Sequence, residues 1–361
     1  MSSTTIDEFR QQILQRQPLR IRGGGSKDFY GSVPSSMQES NLLDTRMHSG
    51  IVSYDPSELV VTVKAGTTLQ ALELVLATRR QFLPFEPPRF GDDLSAATIG
   101  GAVAAGLSGP RRATVGALRD FVLGLRLMDG VGRELKFGGE VMKNVAGYDV
   151  SRLMAGSMGC LGLILDVSLK VLPMPMHEAT IGLALDQQPA LELMNQWGGE
   201  PLPISATCWA DGLLMIRLSG AEPAVRTAQQ RLGGDLVEAD QAAQFWASLR
   251  DGQHAFFAQT SPHATLWRLS VPSVTPPLEV GGSSLIEWGG AQRWFHSEAS
   301  AEEVQTLAHR CGATATAFRY APDRTQVFSP FAPGVLKLHQ SLKHAFDPHG
   351  IFGRGRLYPE I

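Results

Sequence analysis

Short apolar runs, separated by glycine-rich turns, dominate the first half of the chain. Apolar side chains at helical spacing within residues 6–14 predict a helix that starts near Thr5 or Asp7. The alternation at 19–21 is typical of the end of a strand, and a run of β-branched residues predicts another strand at 59–63. The pattern predicts further elements: a helix capped by Thr67 or Thr68 with Leu69, Leu72 and Leu76 buried, a β-hairpin of 122–128 and 134–137, a short helix after Tyr148, and a strand at 163–171.

The second half repeats one arrangement twice. Residues 204–234 and 284–319 each contain two strands joined by a short turn and followed by a helix. Turns this short pair strands antiparallel, so the repeats predict an antiparallel sheet with helices on one face. A last helix is predicted from about Pro333 to Phe346.

Composition narrows the class of protein. The 361 residues suffice for two domains, and 43% of them are hydrophobic, which is enough for real cores. The charges nearly balance, with 32 basic and 35 acidic side chains and no basic run, which argues against nucleic-acid binding. The three widely separated cysteines form neither a disulfide framework nor a four-cysteine iron–sulfur site. With no apolar run of membrane-spanning length and no signal-peptide pattern, we expect a cytoplasmic protein.

The stretch RGGGS, residues 22–26, places three glycines directly behind an arginine. Such a turn can present successive N–H groups to an anion, and phosphate is the usual one, although a plain connecting loop is the alternative. The Rossmann, Walker, nucleophile-elbow and H-E-x-x-H patterns are all missing. Three more glycine clusters favour backbone packed along an extended ligand: Gly100–Gly101, Gly106 with Gly109, and Gly156, Gly159 and Gly162.

Five motifs carry a resemblance that covers essentially the whole chain. They are RGGGS, ATIGGAVA, GPRRATVGALRDFVLG, GGEVMKNVAGYDVSRLMAGSMGCLGLI and FDPHGIF followed by GRL. Together they resemble the PCMH-type FAD-binding superfamily of vanillyl-alcohol oxidase and D-2-hydroxyacid dehydrogenases. Within it, the sequence is most similar to the family of FAD-binding subunits of bacterial glycolate oxidase.

The resemblance implies an α+β fold in three parts. Residues 1–174 would form a PCMH-type FAD-binding domain of two α+β subdomains. Residues 175–330 would form an antiparallel-sheet cap domain of ββα-type repeats. Residues 331–361 would be a helix and tail that return to the FAD domain.

Carried over to this sequence, the motifs imply a set of cofactor-binding residues. Gly23, Gly24, Gly25 and Ser26 would hold the FAD pyrophosphate through backbone N–H groups, with Lys27 beside them. We expect Arg22 to brace this loop, with direct phosphate contact as the less favoured alternative. The remaining implied contacts are Thr98, Gly100 and Gly101; Ser108, Gly109 and Gly116 beneath the isoalloxazine ring; and Gly159, Gly162 and Ile164 on its other side. Lys143 and Tyr148 stay open between a functional and a packing role.

Three departures from the superfamily matter. The histidine that links flavin covalently in some relatives is replaced by Ser26–Lys27, so we expect non-covalent FAD. None of the nine histidines lies in the cap motif that binds metal in relatives that oxidise the hydroxy acid themselves, and no metal is expected. The tail reads GRGR at 353–356 where many relatives have NPGK or NPGR, so the flavin contact of that asparagine has no counterpart.

The implied function is that of an FAD-binding subunit in a complex that oxidises glycolate, or D-lactate, to the 2-oxo acid. The implied partners are a paralogous FAD-linked catalytic subunit and an iron–sulfur subunit, which would leave the complex cytoplasmic or peripheral at the inner membrane. No catalytic base can be assigned. A non-catalytic subunit that holds flavin or relays electrons is the alternative, and a UDP-N-acetylenolpyruvoylglucosamine reductase-like enzyme is a more distant one.

Overall fold

The computed structural model of the chain describes residues 2–32, 41–139, 149–259, 261–278, 281–321 and 327–361. Lys143 and Tyr148 lie outside these residues. Internal contacts divide the chain into two units. The first unit comprises Met1–Leu107, Ala117–Pro173 and Pro330–Ile361, and the second comprises Ser108–Gly116 and Met174–Ser329.

Helices and strands alternate along the described residues. The helices are α1 (Ser2–Leu14), α2 (Leu69–Ala77), α3 (Ile99–Ala105), α4 (Arg112–Val115), α5 (Val150–Met154), α6 (Gln187–Gly198), α7 (Glu222–Leu232), α8 (Ala239–Asp251), α9 (Ala301–Arg310) and α10 (Pro333–Phe346). The strands of the first unit are β1 (Leu19–Arg22), β2 (Asn41–Asp44), β3 (Ile51–Asp55), β4 (Val60–Lys64), β5 (Gln81–Phe82), β6 (Val122–Met128), β7 (Glu134–Gly138), β8 (Leu163–Lys170) and β9 (Leu172–Pro173). Those of the second unit are β10 (His177–Ala184), β11 (Ile204–Ala210), β12 (Leu213–Gly220), β13 (Asp235–Val237), β14 (Thr265–Ser270), β15 (Ser284–Glu287), β16 (Gln292–Ser297) and β17 (Thr314–Arg319).

The first unit is built on a five-stranded antiparallel sheet in the order β3-β4-β8-β6-β7. Strand β8 lies at its centre, where seven of its eight residues are buried. Strands β1 and β2 form a separate parallel pair, and the C-terminal segment, which we define as residues 347–361, joins β1 through a bridge between Leu19 and Phe352. This bridge brings the end of the chain beside the glycine loop that follows β1.

Apolar periodicity accounts for the helices of the first unit. The α1 face of Ile6, Phe9 and Ile13 packs in one core cluster with residues of β1, β8 and the C-terminal segment. The predicted α2 is confirmed: the Thr68 side chain caps it by accepting a hydrogen bond from Ala71 N, and its predicted apolar face is buried. The predicted hairpin is also confirmed, as β6 and β7. The predicted start of α1 was wrong, because the helix begins at Ser2.

A buried ionic cluster joins the central strand to its neighbours. Asp166 of β8 receives a 2.7 Å hydrogen bond from Arg126 Nε, and its other oxygen lies 2.9 Å from His48 Nε2. Burial raises the pKa of the Asp166 carboxyl, but His48 and Arg126 outweigh that effect and lower it below its ordinary value. Asp166 is therefore ionised in the folded protein at neutral pH.

The second unit contains an eight-stranded antiparallel sheet in the order β13-β10-β12-β11-β15-β16-β14-β17, counted over the described residues. The two predicted strand–strand–helix repeats are confirmed as β11–β12–α7 and β15–β16–α9. They join into one sheet because β11 pairs with β15, which sets Trp209 opposite Ile286. Helix packing produces two core clusters in this unit, around Trp197 and Trp267.

Residues 108–116 group with the second unit, whereas the sequence analysis expected them inside a continuous FAD-binding domain. The Arg111 guanidinium binds Glu178 Oε1 at 2.5 Å, and Thr114 Oγ1 donates to the carbonyl of Ser205 at 3.1 Å. Trp288 Nε1 also donates to the Gly109 carbonyl. These three contacts bind the segment to residues that follow it by more than 60 positions, two of them on strands, and local sequence does not reveal these pairings.

Candidate functional site

A cleft in the first unit is formed by β1 and the loop after it, the first turns of α3, the turn before β8, and the C-terminal segment. The lining residues are Arg20, Ile21, Arg22, Gly23, Gly24, Gly25, Ser26, Lys27, Asp28, Thr98, Gly101, Ala104, Ala105, Met158, Gly159, Gly353 and Arg356. The predicted residues from Arg22 to Lys27, together with Thr98, Gly101 and Gly159, are therefore brought together. The alanines and glycines leave much of the wall as bare backbone.

The loop at 23–26 presents unused backbone donors to this cleft. Within the described part of the chain, the N–H groups of Gly23, Gly24, Gly25 and Ser26 donate to no protein acceptor. The carbonyl of Gly25, by contrast, accepts from Asp28 N at 3.0 Å, which closes the turn. Four successive backbone donors without protein acceptors, in a half-exposed turn, can bind an anion.

Glycine is required in this loop mainly because neighbouring atoms lie too close for a side chain. A Cβ on Gly24 would lie 1.6 Å from the carbonyl oxygen of Ala96, and one on Gly23 would lie 2.2 Å from Thr98 Oγ1. Only Gly25 of the three has a positive φ, at 76°. Close approach to the start of α3, more than left-handed backbone, therefore explains the run of glycines.

The start of α3 forms the second wall. Thr98 is buried and caps the helix, its Oγ1 accepting from Gly101 N at 3.3 Å. Gly100, which the sequence analysis also placed at the flavin, does not line the cleft. A Cβ at Gly100 would lie 2.7 Å from the Cβ of Ala65, so this glycine lets α3 pack against the end of β4.

Two charged residues flank the glycine loop. Arg22 Nε donates to Asp28 Oδ2 at 2.7 Å, an ion pair that spans the five residues between them. The Arg22 guanidinium lies over Gly25, where a Cβ would come within 2.2 Å of it. Lys27 is buried, with Nζ 3.3 Å from Ser26 Oγ and 5.8 Å from the centre of the Phe90 ring.

The turn before β8 supplies the third wall. Met158 and Gly159 line the cleft, and both have positive φ, 53° and 74°. Gly162 and Ile164 do not line it. A Cβ at Gly162 would lie 2.9 Å from the carbonyl of Met128, and Ile164 is buried in β8, so both positions serve sheet packing.

The C-terminal segment lines the cleft through Gly353 and Arg356. The sequence analysis expected this tail to return to the FAD domain but assigned no cofactor-binding residue within it. Arg356 is buried and donates through one terminal nitrogen to the carbonyls of Lys27 and Tyr30, at 3.2 and 2.8 Å. Gly353 lies against Cys160, whose Sγ is 3.4 Å from the Gly353 carbonyl. The sequence feature that could have indicated these residues is GRGR at 353–356, which stands where many relatives have the asparagine motif.

A buried lysine fastens the C-terminal segment in place. Lys343 Nζ donates to Asp347 Oδ2 at 2.8 Å and to the carbonyls of Cys160 and Phe352 at 2.7 and 2.6 Å. Asp347 in turn accepts from the backbone N–H groups of Ile351 and Phe352. The two carbonyls belong to the neighbours of Gly159 and Gly353, so this lysine sets the spacing of two cleft walls.

Reactive side chains are scarce around the cleft. Its lining, taken over the described residues, includes no histidine, cysteine or tyrosine. Burial raises the pKa of the nearby Cys160 thiol to about 11, which keeps it protonated and unreactive at neutral pH. In the described residues no cluster of three or more histidine, cysteine or acidic side chains could hold a metal ion, and no helix there has the length and apolarity to cross a bilayer.

Comparison with known proteins identifies the class first. A family model described as "FAD binding domain" matches residues 6–138, the part that supplies the glycine loop and α3 to the cleft. Alkyldihydroxyacetonephosphate synthase has the same fold, with a TM-score of 0.68 at 16% identity over 96% of this chain and 74% of the synthase. The chain is an FAD-binding-domain protein of α+β architecture.

The particular family follows from sequence identity. Over 360 residues the chain is 45% identical to glycolate oxidase subunit GlcE of Escherichia coli. The aligned residues cover 100% of this chain and 98% of GlcE. It belongs to the GlcE family, so the resemblance to FAD-binding subunits is confirmed. Glycolate oxidase subunit GlcD of Bacillus subtilis is 30% identical over 167 residues, covering 46% of this chain and 34% of GlcD.

Proposed function

We propose that this chain is the FAD-binding subunit of a glycolate-oxidising complex, an oxidoreductase acting on the CH–OH group of 2-hydroxy acids. The observation that carries this proposal is the cleft with four acceptor-free amides, in a chain that matches GlcE over nearly its whole length. The same match leaves the distant alternative, a reductase of a UDP-sugar, without support.

The cleft fits the pyrophosphate of FAD. Its loop offers four amide donors, and the absence of a side chain at Gly24 lets the loop pack closely against the Ala96 carbonyl beside the cleft. Ser26, Lys27, Thr98, Gly101 and Gly159 are the other predicted residues that we assign to this site. Bound FAD supplies a two-electron acceptor for the hydride of a 2-hydroxy acid.

We assign the FAD as non-covalent. The histidine that links flavin covalently in some relatives is replaced here by Ser26–Lys27, which supports this assignment. Acid precipitation of the purified protein should therefore release all of the yellow colour into the supernatant. Flavin that stays in the pellet would contradict this assignment.

Segment 108–116 bears on which subunit oxidises the substrate. Oxidation requires a cation to bind the substrate carboxylate, but Arg111 is ion-paired with Glu178, and Arg112 lies 4.5 Å over the Trp288 ring. This engagement favours the second candidate function, in which the chain holds flavin or relays electrons. Ser108, Gly109 and Gly116 remain proposed contacts of the isoalloxazine ring.

The partners follow from the proposal. We assign a paralogous GlcD-type flavoprotein and an iron–sulfur subunit as the other members of a complex in the cytoplasm or at the inner membrane surface. The isolated chain should then fail to reduce dichlorophenolindophenol with glycolate, and addition of both partners should restore the activity.

The decisive experiment mixes the isolated flavoprotein with glycolate or D-lactate anaerobically while the flavin absorbance is followed. No bleaching is expected from this subunit alone, because no catalytic base can be assigned in its sequence. Rapid bleaching would show that the chain has its own base and substrate clamp. A chain purified without flavin, and unable to take it up, would contradict the proposed function itself.

A further inference from the structure

Four basic side chains line the cleft, and three of them are committed to the protein. Arg22 is ion-paired with Asp28, and Arg356 binds two backbone carbonyls. Lys27 is buried against the Phe90 ring. Each of these three cations therefore contacts protein groups that form the walls of the cleft.

Arg20 differs from the other three. In the part of the chain that the structure describes, its half-buried side chain makes no hydrogen bond or ion pair, and its Nε is buried without a partner. Its position in β1 explains the orientation of the side chain. Leu19 and Ile21 pack into the core cluster of α1 and β8, so alternation along the strand directs Arg20 to the opposite face, the face it shares with Arg22.

An unpaired guanidinium of this kind needs an acceptor. A buried donor that has lost water and gained no partner destabilises the fold, and a charged donor does so more strongly. Within the described residues no carboxylate pairs with Arg20, so an anion that enters the cleft can supply the acceptor. The cleft that Arg20 lines also contains the four acceptor-free amides of the glycine loop.

We propose that Arg20 binds a phosphate oxygen of the FAD pyrophosphate and offsets one of its two negative charges. This inference rests on the proposed function and deepens it. The loop amides are neutral dipoles, whereas the diphosphate carries two negative charges, so amides alone leave net charge in a partly buried site. Guanidinium donors form short, charge-assisted and often bidentate bonds with phosphate.

The test measures FAD affinity directly, without turnover. Apoprotein is titrated with FAD at low and at high KCl, and flavin fluorescence reports the Kd. Arg20→Gln should raise the Kd roughly tenfold to a hundredfold, the range for a hydrogen bond to a charged group. The variant should also show a shallower dependence of Kd on salt, because it lacks the screened charge. Arg20→Lys keeps the positive charge but not the bidentate guanidinium, so its Kd should lie between those of the wild-type protein and Arg20→Gln.

Arg46→Gln is the matched control, since Arg46 pairs with Asp44 outside the cleft and should leave the Kd unchanged. The melting temperatures of the apoproteins show whether each variant is folded, and Arg20→Lys serves as the test variant if Arg20→Gln does not fold. ADP, which carries the same diphosphate without flavin, should displace FAD from the wild-type protein and lose affinity in parallel.

Three results would overturn the inference. The phosphate contact is refuted if Arg20→Gln binds FAD with the wild-type Kd at both salt concentrations. If only Arg20→Lys folds, a wild-type Kd in that variant refutes it instead. An equal loss in Arg46→Gln shows a non-specific charge effect. A wild-type apoprotein that binds no FAD at all overturns the proposed function together with this inference, and so is distinguishable from the first two.

Discussion

Replacement of Lys343 by methionine tests whether the C-terminal segment is a wall of the cofactor cleft. The Lys343 ammonium has three N–H donors, and all three are used, on Asp347 and on the carbonyls of Cys160 and Phe352. Methionine fills similar space but donates nothing. Asp347 would remain buried, with its negative charge opposed only by backbone N–H groups.

The magnitude follows from the burial of both partners. Asp347 is 2% exposed and Lys343 is 8% exposed, so solvent screens the pair weakly. Removing one partner of a buried ion pair destabilises a protein by about 3–5 kcal/mol. At roughly 2–4 °C per kcal/mol for a domain of this size, the melting temperature should fall by about 6–20 °C.

The assay is thermal unfolding of the apoprotein, followed by circular dichroism, together with an FAD titration of the folded variant. Lys337→Met is the matched control, because Lys337 lies on the same helix but is exposed. Adding Asp347→Asn to Lys343→Met should recover part of the loss, since it removes the uncompensated charge. Unchanged melting and FAD affinity in Lys343→Met would refute the role we assign to the ion pair.

Three further predictions concern other parts of the first unit. Gly24→Val should abolish FAD binding in a titration, because any Cβ there overlaps the Ala96 carbonyl, whereas Ser26→Ala should lose about 1 kcal/mol of binding free energy. Gly334→Ala, at a glycine of α10 with open space around it and no positive φ, should bind FAD normally and so controls for glycine replacement in general. Asp166→Asn should lower the free energy of unfolding at pH 7 and have little effect well below pH 4: a lowered carboxyl pKa gives stability that is present above the unfolded pKa and lost as the pH falls through the folded one.

Local elements could be predicted from the sequence because their signals are short in range. The α2 helix has its cap at Thr68 and its apolar residues at 69, 72 and 76, all within ten residues. The β6–β7 hairpin is joined by a short polar turn, which fixes its pairing. The glycine loop was also predicted as an anion-binding turn, with a plain connecting loop as the alternative, because consecutive glycines can present successive N–H groups.

The remaining cleft residues depend on contacts between distant parts of the chain. From the sequence alone, an arginine within a strand, such as Arg20, is expected to be an ordinary exposed residue. Only the structure shows that its side chain has no protein partner among the described residues. Gly24 and Gly100 look alike in sequence, but one meets a backbone carbonyl beside the cleft and the other meets Ala65 inside the fold. Resemblance to a family assigns the same cofactor-binding role to both glycines, because a sequence motif gives the residue type and not the atoms around it.

The C-terminal segment organises the other walls. Leu19 N donates to the Ile351 carbonyl at 2.7 Å at the start of β1, and Arg356 binds the carbonyl of Lys27 at the far end of the glycine loop. Lys343 holds Cys160 next to the third wall. Residues more than 300 positions apart are thus in contact on either side of the glycine loop. If these contacts fix the geometry of the acceptor-free amides, variants that loosen the segment should weaken FAD binding, and bound FAD should raise the stability of the segment.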